Sequence, residues 1–475
     1  MTPVLFQACS EDFFDVNQDP NGPTSTTPEQ MMPNVIQSAM TMMSTTSFVT
    51  TTITQHRTFN ENSGITTGNS WLNFAWSPFA FQNNYWQTGS NNELMIQFAE
   101  DEGSPHYAGA GKLIKAFAFS VTLDFYGDIY FTEAFKGITQ PKFDEGELVY
   151  GELITLCDQG IADLQKTQNF RPLSEGDIMY AGDVSKWIRF GYSIKARLLN
   201  HLTKKASYDA SEVLGLVDQG FMGKEDDAGF EYPDGGPFEN FSNDWSDDYF
   251  FHNNSDWHAH YVDYLKGDNL GGVEDPRLPF LINTASDGEY RGVRDGITLD
   301  GLGDPGLVSP TAGKYYTSPT SPYPLMTFEE VKFIEAEAAL SVSQNQRAFD
   351  AFLTGLRANM EKVGVSSTEI DAFFGDANAV PQNANELTLS DIMVQKYLSL
   401  GLNPEVWVDM RRHDYSQTIY PGLEQPANAN PSFGGEWIRR MQVFSTEIQF
   451  NPEEVERIGG SKADYMITPV WWDVP

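Results

Sequence analysis

The fold class of this chain is decided by residues 327–340, which read TFEEVKFIEAEAAL. Thr327 and Glu330 have the spacing of a capping box, in which two side chains satisfy free backbone N–H groups at the start of a helix. The apolar residues that follow predict a helix through Leu340. Apolar residues then recur every three or four positions from Phe349 to Val363, which predicts a second helix directly after the first. Two consecutive helices form a hairpin, so this stretch indicates a helical architecture.

Similar helices are predicted on both sides of this hairpin. Gly127 ends one helix, Asp144 starts the next with Glu147 three residues on, and Asp183 caps another. The predicted helices lie at residues 113–125, 144–164, 184–202, 211–219, 327–340, 349–363 and 389–398, and a last one follows Pro404. Strand signals are few. We therefore predict an all-α fold of tetratricopeptide-like helix pairs, which differ in length and show no regular repeat.

One long segment breaks the helical pattern. Residues 221–326 are dominated by Gly, Pro, Asp and aromatic residues, and we interpret them as a loop-rich insertion in a helical body of residues 31–475. Such a segment inside a compact body usually carries function or contains short elements of its own. Near the start of this body, residues 31–56 are predicted to be helical after Pro33, and residues 57–79 are predicted to form a loop.

The N-terminus has the features of a lipoprotein. Residues 3–8 form a short apolar segment that ends in a small residue directly before Cys9. We interpret residues 1–9 as the remainder of a lipoprotein signal, Cys9 as the lipidation site and residues 10–30 as an extended tether. The second cysteine, Cys157, lies on the apolar stripe of a predicted helix, so we expect an inert core thiol.

The composition excludes several classes of partner. The chain has 475 residues and a net charge of −36, so it lacks the clustered Lys and Arg that binding to nucleic acid requires. An anionic membrane surface is excluded for the same reason. The chain contains 33 Phe, 20 Tyr and 10 Trp, which is far too aromatic for a disordered acidic protein.

The sequence also lacks the motifs of common catalytic and cofactor sites. It has no phosphate-binding loop, no dinucleotide fingerprint and no Gly-x-Ser-x-Gly nucleophile elbow. His252, His258 and His260 lie close together but are interpreted as surface histidines beside solvated acids. The Asp-rich turns lack the spacing of a calcium loop. We therefore predict no metal, no cofactor and no catalytic residue.

Aromatic residues in the loops are the best candidates for ligand binding. Exposed rings stack on the apolar face of a sugar, and neighbouring amides and carboxylates bind its hydroxyl groups. The predicted ligand-binding residues come from the loop of residues 57–79 and from the insertion: Trp71, Trp76, Trp245, Asp247, Trp257, Tyr315 and Tyr316.

Several segments together resemble one known family. They are residues 9–17 (CSEDFFDVN), 115–134, 141–150, 182–187 (GDVSKW), 275–279 (DPRLP), 326–338 (MTFEEVKFIEAEA), 407–412 (WVDMRR) and 467–473 (ITPVWWD). In this order they resemble the SusD/RagB outer-membrane lipoproteins of glycan-foraging Gram-negative bacteria. The resemblance implies an all-α body of four tetratricopeptide-like pairs and a surface lipoprotein, anchored through Cys9, that captures oligosaccharide for a SusC-like TonB-dependent transporter.

Two other functions remain open from the sequence. The same fold binds peptide in some relatives, and an acidic groove poor in stacking aromatics would favour that reading. A glycoside hydrolase or lyase would need two carboxylates at a defined separation. The chain has 66 acidic residues, and the sequence singles out no pair among them. The resemblance therefore favours a binding protein over an enzyme.

Overall fold

The computed structural model describes residues 26–60, 68–74, 79–232, 254–294 and 305–475. Its α-helices are α1 (Pro28–Ile53), α2 (Phe79–Gln82), α3 (Ser90–Glu102), α4 (Pro105–Tyr126), α5 (Gly146–Leu164), α6 (Val184–His201), α7 (Ala210–Val217), α8 (Ala259–Leu265), α9 (Leu278–Leu281), α10 (Phe328–Ser341), α11 (Asn345–Val363), α12 (Ser367–Phe374), α13 (Leu389–Leu400), α14 (Glu405–Arg412), α15 (Ser445–Phe450) and α16 (Pro452–Arg457). A π-helix (Asn83–Gly89) joins α2 to α3, and two strands, β1 (Arg57–Phe59) and β2 (Ser255–Trp257), form an antiparallel pair. The predicted all-α class with very little strand is confirmed for these residues.

The helices pack as consecutive pairs. Helix α4 lies against α5, α6 against α7, and α10 against α11, while α10 also contacts α6, α7 and α13. Small residues allow the closest crossing: a Cβ atom at Gly109 of α4 would lie 2.7 Å from the backbone oxygen of Gly160 in α5. Because neither helix has a side chain there, their backbones approach closely enough to bury both apolar faces.

Helix α1 lies in the middle of the body. Met32, Met40, Met42 and Met43 are all buried, and their flexible side chains fill irregular gaps between helices. At its C-terminal end, the Tyr397 hydroxyl donates to the Thr54 carbonyl oxygen at 3.1 Å. A side chain from the C-terminal third of the chain therefore binds the backbone at the end of α1.

The start of α1 differs from the prediction. The helix begins at Pro28, so residues 28–30 are helical rather than extended, and Pro33 lies inside the helix. Proline is tolerated near a helix N-terminus because it removes only one hydrogen bond there, the one to the Glu29 carbonyl. Gly176 packs directly against that oxygen, where a Cβ atom would come within 2.1 Å.

Two predicted caps are also wrong. Asp144 does not start α5; its Oδ2 accepts hydrogen bonds from the backbone N–H groups of Phe131 and Thr132, at 2.9 and 2.7 Å. Thr327 precedes α10 but its side chain makes no capping bond. Both residues have the right spacing for a cap, but the Asp144 carboxylate binds another segment, and Asp227 accepts the Phe328 N–H at the start of α10.

The irregular regions contain short elements. Residues 57–59, predicted as loop, form β1 and pair with β2 in the register Arg57–Trp257 to Phe59–Ser255. The described part of residues 221–326 contains β2, α8 and α9. Strand pairing between residues almost 200 positions apart is a tertiary contact that local sequence patterns do not reveal.

Buried ion pairs connect the helices across the core. Arg197 of α6 donates two hydrogen bonds of 2.6 Å to Glu330 of α10, and Arg412 of α14 does the same to Glu337, at 2.7 and 2.9 Å. These bidentate contacts fix the relative rotation of the helices. Among the described helices, none is both long and apolar enough to span a bilayer.

Candidate ligand-binding site

A tyrosine-lined pocket lies where residues 315–327 meet the C-terminal ends of α11 and α13. Its volume is about 40 Å³, and the residues that line it include Tyr315, Tyr316 and Tyr323. The Tyr315 and Tyr316 rings stand almost perpendicular, with centroids 5.1 Å apart. Two of the predicted ligand-binding residues therefore line one cavity, and their role in binding stays a prediction. A cavity of this volume admits a small chemical group and not a whole sugar ring.

Local backbone geometry positions the tyrosines. The Tyr316 hydroxyl donates to the Ser399 carbonyl at 2.8 Å, and the Tyr323 hydroxyl donates to the Leu402 carbonyl at 2.6 Å. Gly401 lies between these two acceptors with φ = 53°, and a Cβ atom there would lie 2.6 Å from the Tyr316 ring. Glycine is needed at this position both for the backbone conformation and for the close approach.

The remaining walls are mostly apolar. Pro322 and Pro324 lie on one side and Leu400 and Leu402 on another. Prolines have no N–H group to donate to a ligand, so their rings offer apolar contacts here.

A few polar groups of the wall are free to bind. Asn403 is 8% exposed, and its Oδ1 accepts a hydrogen bond from the Glu405 N–H at 2.9 Å. Its Nδ2 group has no partner among the described residues, nor do the Oγ1 atom of Thr327 and the hydroxyl of Tyr315. The first turn of α10 does not need the Thr327 hydroxyl, because Asp227 Oδ1 accepts from the Phe328 N–H at 2.7 Å.

An ion cluster closes the inner end of the pocket. The Lys362 ammonium contacts Glu329 at 2.6 Å and also pairs with Asp227. Burial raises the pKa of Asp227 to about 7, with the nearby Glu329 acting in the same direction. Two carboxylates do meet here, as hydrolysis would require, but both are bound to one ammonium group. Their arrangement stabilises the buried Lys362 ammonium group.

Two predicted platform residues are buried instead of exposed. Trp71 and Trp257 are each 1% exposed, which corrects the expectation that their rings face solvent. The Trp257 ring stacks on Tyr261 at 5.5 Å and lies 4.7 Å from the Arg57 guanidinium carbon. These two rings pack inward because burial of a large ring stabilises a long irregular segment. Trp76, Trp245 and Asp247, and the lipidation candidate Cys9, lie outside the described residues.

Trp71 nevertheless has unusual features for a core residue. Its φ is 60°, a conformation that bulky residues rarely adopt, and its indole N–H has no partner among the described residues. Its ring contacts Trp437 at 5.2 Å, and Trp437 stacks on Tyr415 at 4.3 Å. Trp437 is half-buried, so this aromatic cluster reaches the surface. Sequence analysis missed Trp437; its only signal was a tryptophan two residues after the turn residues Gly434 and Gly435.

Two of the three predicted surface histidines are buried. His258 and His260 are buried around the start of α8, where the backbone N–H of His260 donates to Nδ1 of His258 at 3.1 Å. Burial lowers the pKa of His260 to about 3, and it lowers the pKa of His258 well below its usual value. Both imidazoles are therefore neutral. His252, the third member of the predicted group, lies outside the described residues.

One buried group of potential metal ligands was not singled out by the sequence. Asp124, His201 and Glu405 place ligand atoms within 4.8 Å of one another. His201 Nε2 already bonds to Glu405 at 2.7 Å, and Asp124 Oδ1 accepts from the Trp472 indole N–H at 2.7 Å. Their hydrogen bonds join α4, α6, α14 and the C-terminal segment, which explains the group as part of the core network.

Comparison with known proteins places this geometry in a family. A family model described as SusD-like, starch-binding and associating with the outer membrane, matches residues 20–442. No curated protein matches the sequence.

Solved structures share the fold. A chitin-binding protein is similar with a TM-score of 0.76 and 21% identity, over 94% of this chain and 100% of that one. A chitin-binding SusD homologue from Flavobacterium johnsoniae gives 0.75 and 19%, over 93% and 98%. A SusD/RagB family protein from Bacteroides thetaiotaomicron gives 0.71 and 21%, over 94% and 99%. Because the family model spans most of the chain and the helical fold agrees, this protein belongs to the SusD-like family.

Proposed function

We propose that this protein is a non-enzymatic, cell-surface lipoprotein that binds oligosaccharide and delivers it to a SusC-like TonB-dependent transporter. The observation that carries the proposal is the tyrosine-lined pocket, which combines aromatic and apolar walls with polar groups that have no partner among the described residues. That combination is typical of sugar-binding sites. The family description and the chitin-binding relatives point in the same direction.

The other residues predicted to bind ligand are also part of the proposal. Trp76, Trp245 and Asp247 are candidate contacts for sugar units outside the pocket. Trp71 contributes through Trp437, whose half-buried ring extends the aromatic surface. Lipidation of Cys9 holds the protein beside the transporter at high effective concentration, so a weak affinity for sugar is sufficient.

Affinity electrophoresis against a panel of polysaccharides tests the binding function. We expect one glycan to retard the protein without release of reducing ends in the same samples. Tyr315→Ala should weaken the retardation about tenfold, because one stacking or hydrogen-bonding contact is worth 1–2 kcal/mol. Tyr290→Ala is the matched control, since Tyr290 is also a partly buried tyrosine but lies outside the pocket.

The other outcomes would change the assignment. Release of reducing ends by the purified protein would make it an enzyme. Binding of peptide, with no retardation by any glycan, would place it with the peptide-binding members of the fold.

Metabolic labelling with a fatty acid tests the anchor. We expect the wild-type protein to incorporate the label and to fractionate with the outer membrane. Cys9→Ser should lose both properties and still bind glycan. Membrane association of the unlabelled variant would contradict the proposed role of Cys9.

A further inference from the structure

Four large apolar side chains are exposed on three segments of the body. Trp86 of the π-helix is 71% exposed, and Phe450 at the end of α15 is 63% exposed. Ile138, in the segment between α4 and α5, and Ile448 of α15 are also exposed. We call these four residues the Trp86 face.

Contacts beneath these side chains hold the three segments together. The Tyr85 ring of the π-helix lies 5.9 Å from the Tyr130 ring, and the Tyr130 hydroxyl donates to the Glu447 carboxylate of α15. Gln140 Nε2 donates to the Phe450 carbonyl oxygen at 2.8 Å. The residues of the Trp86 face therefore belong to one region of the surface, although they are far apart in the sequence.

The backbone at Trp86 is held in place from both sides. Asn83 Nδ2 donates to Thr45 Oγ1 at 2.6 Å, and Asn84 Nδ2 donates to Thr122 Oγ1 at 2.9 Å. Among the described residues, none stacks on the Trp86 ring. π-Helices are rare and often occur at functional sites, and a rigidly supported, exposed tryptophan is typical of an interaction surface.

The surroundings of the Trp86 face are almost uncharged. Residues 79–92 contain no charged residue, residues 134–141 contain only Lys136, and residues 442–452 contain only Glu447, whereas 20% of the whole chain is charged. Glu447 is bonded as described above, and Lys136 has no ion-pair partner among the described residues. Such a surface offers few charges for recognition of a protein partner, and it can enter an apolar phase at little cost.

The chain enters the body beside this face. Asn91, at the start of α3, donates through Nδ2 to Asn34 Oδ1 in the second turn of α1 at 3.0 Å. Residues 10–27 connect Cys9 to α1. An unfolded chain of this length spans about 23 Å, which is close to the radius of gyration of a folded body of this size. A lipid on Cys9 would therefore keep this side of the body nearest to the membrane.

We infer that the Trp86 face inserts into the surface of the bilayer that carries the Cys9 anchor, and thereby orients the body on the membrane. Tryptophan and phenylalanine rings suit the level of the lipid head groups, and the Lys136 ammonium can reach the lipid phosphates. Because the chain has a net charge of −36, this contact depends on burial of apolar side chains and not on attraction to anionic lipid. The inference rests on the proposed anchor and adds a second, weaker contact with the same membrane.

A fluorophore on an introduced cysteine tests the insertion in the lipidated protein, reconstituted into phosphatidylcholine vesicles. Spin-labelled lipid should quench the fluorophore at Trp86→Cys or Phe450→Cys at least about threefold more strongly than at Met222→Cys. Met222 is the matched control, because it is 75% exposed but is followed by the charged residues 224–227. Cys157 is buried and should not react with the fluorophore.

Sedimentation with vesicles tests the face without its anchor. In the Cys9→Ser protein, Trp86→Ala combined with Phe450→Ala should lower partition into phosphatidylcholine vesicles about tenfold or more, whereas Met222→Ala should leave it unchanged. Addition of phosphatidylglycerol should weaken the partition, since the protein is strongly acidic.

Several results would overturn the inference. These are equal quenching at the three labelled positions, unchanged partition of the double variant, and stronger partition into anionic vesicles. Shielding of the fluorophores in native outer membranes, but not in vesicles of lipid alone, would assign the face to a protein partner instead. Retardation by glycan should be unchanged in the double variant, so failure of the membrane contact leaves the glycan-binding function intact. Failure of the Cys9 anchor appears separately in the labelling experiment, and the sedimentation experiment does not depend on it.

Discussion

At the scale of single residues, Gly401 shows how one position shapes the pocket. Its φ of 53° and the 2.6 Å approach of the Tyr316 ring are separate reasons for glycine. Alanine would strain the backbone and also push Tyr316 away from the Ser399 carbonyl.

We expect Gly401→Ala to lower the free energy of unfolding by about 2–4 kcal/mol and to weaken glycan binding. Gly288→Ala separates the two effects, because Gly288 has φ = 90° but open space around its Cβ position. Urea unfolding should show a smaller loss of about 1–2 kcal/mol for that control, with unchanged binding. Equal losses in both variants would mean that the contact with Tyr316 costs nothing.

The sequence predicts some of the pocket residues and not their neighbours. Tyr315 and Tyr316 were found because adjacent aromatics in an irregular segment suggest a binding surface. Asn403 was not singled out, since nothing in the local sequence shows that it lines a cavity. Trp71 was expected at the surface, and its burial against Trp437 depends on a contact across more than 360 positions of the chain.

At the scale of elements, the start of α10 shows a cap supplied from outside the local sequence. Thr327 and Glu330 have capping-box spacing, but Glu330 pairs with Arg197 and the Phe328 N–H bonds to Asp227. The helix was predicted correctly because its apolar periodicity is strong. The mechanism of its capping was not, because Asp227 lies 100 residues earlier.

Two substitutions test which residue caps α10. Asp227→Ala should lower the free energy of unfolding by about 2–3 kcal/mol, since it removes the cap and one partner of Lys362. Thr327→Val should change it by less than about 0.5 kcal/mol, because its hydroxyl makes no bond to lose. Urea unfolding measures both free energies. A larger loss for Thr327→Val than for Asp227→Ala would show that Thr327, and not Asp227, caps α10.

At the scale of the whole molecule, buried charges set the pH range of stability. Burial alone would raise the pKa of Glu337, but Arg412 and His413 lower it well below its usual value. This stabilisation is present above the unfolded value near 4.5 and is lost as the pH falls. Asp124 has the opposite effect on the pH dependence of stability, because burial raises its pKa to about 6 although the nearby His201 lowers it.

The Asp124→Asn variant tests how much Asp124 contributes to the pH dependence of stability. Because the native state favours protonated Asp124, the wild-type protein loses stability relative to the variant as the pH rises from about 4 to 7, by up to about 3 kcal/mol. Urea unfolding of both proteins across this range gives the difference directly. A difference that is independent of pH would show that Asp124 titrates normally.

The architecture as a whole was more predictable than the site. Helix pairs follow from apolar periodicity along α4, α5, α6 and α10, which local sequence contains. The β1–β2 pair and the burial of the histidines depend on contacts between distant segments. A local sequence pattern carries no information about such contacts. The start of α1 was placed too late because Pro33 was read as a boundary, whereas a proline near the start of a helix costs only one bond.

The closure of the core around α1 has a consequence for biosynthesis. The Tyr397 hydroxyl and carbonyl bond to Thr54 and His56, and Tyr397 is made 341 positions after His56. Until that part of the chain has left the ribosome, the methionines of α1 lack a complete set of neighbours, and a nascent chain in this state is prone to aggregate. The packing of α1 is therefore complete only when the segment around Tyr397 is available to fold against it.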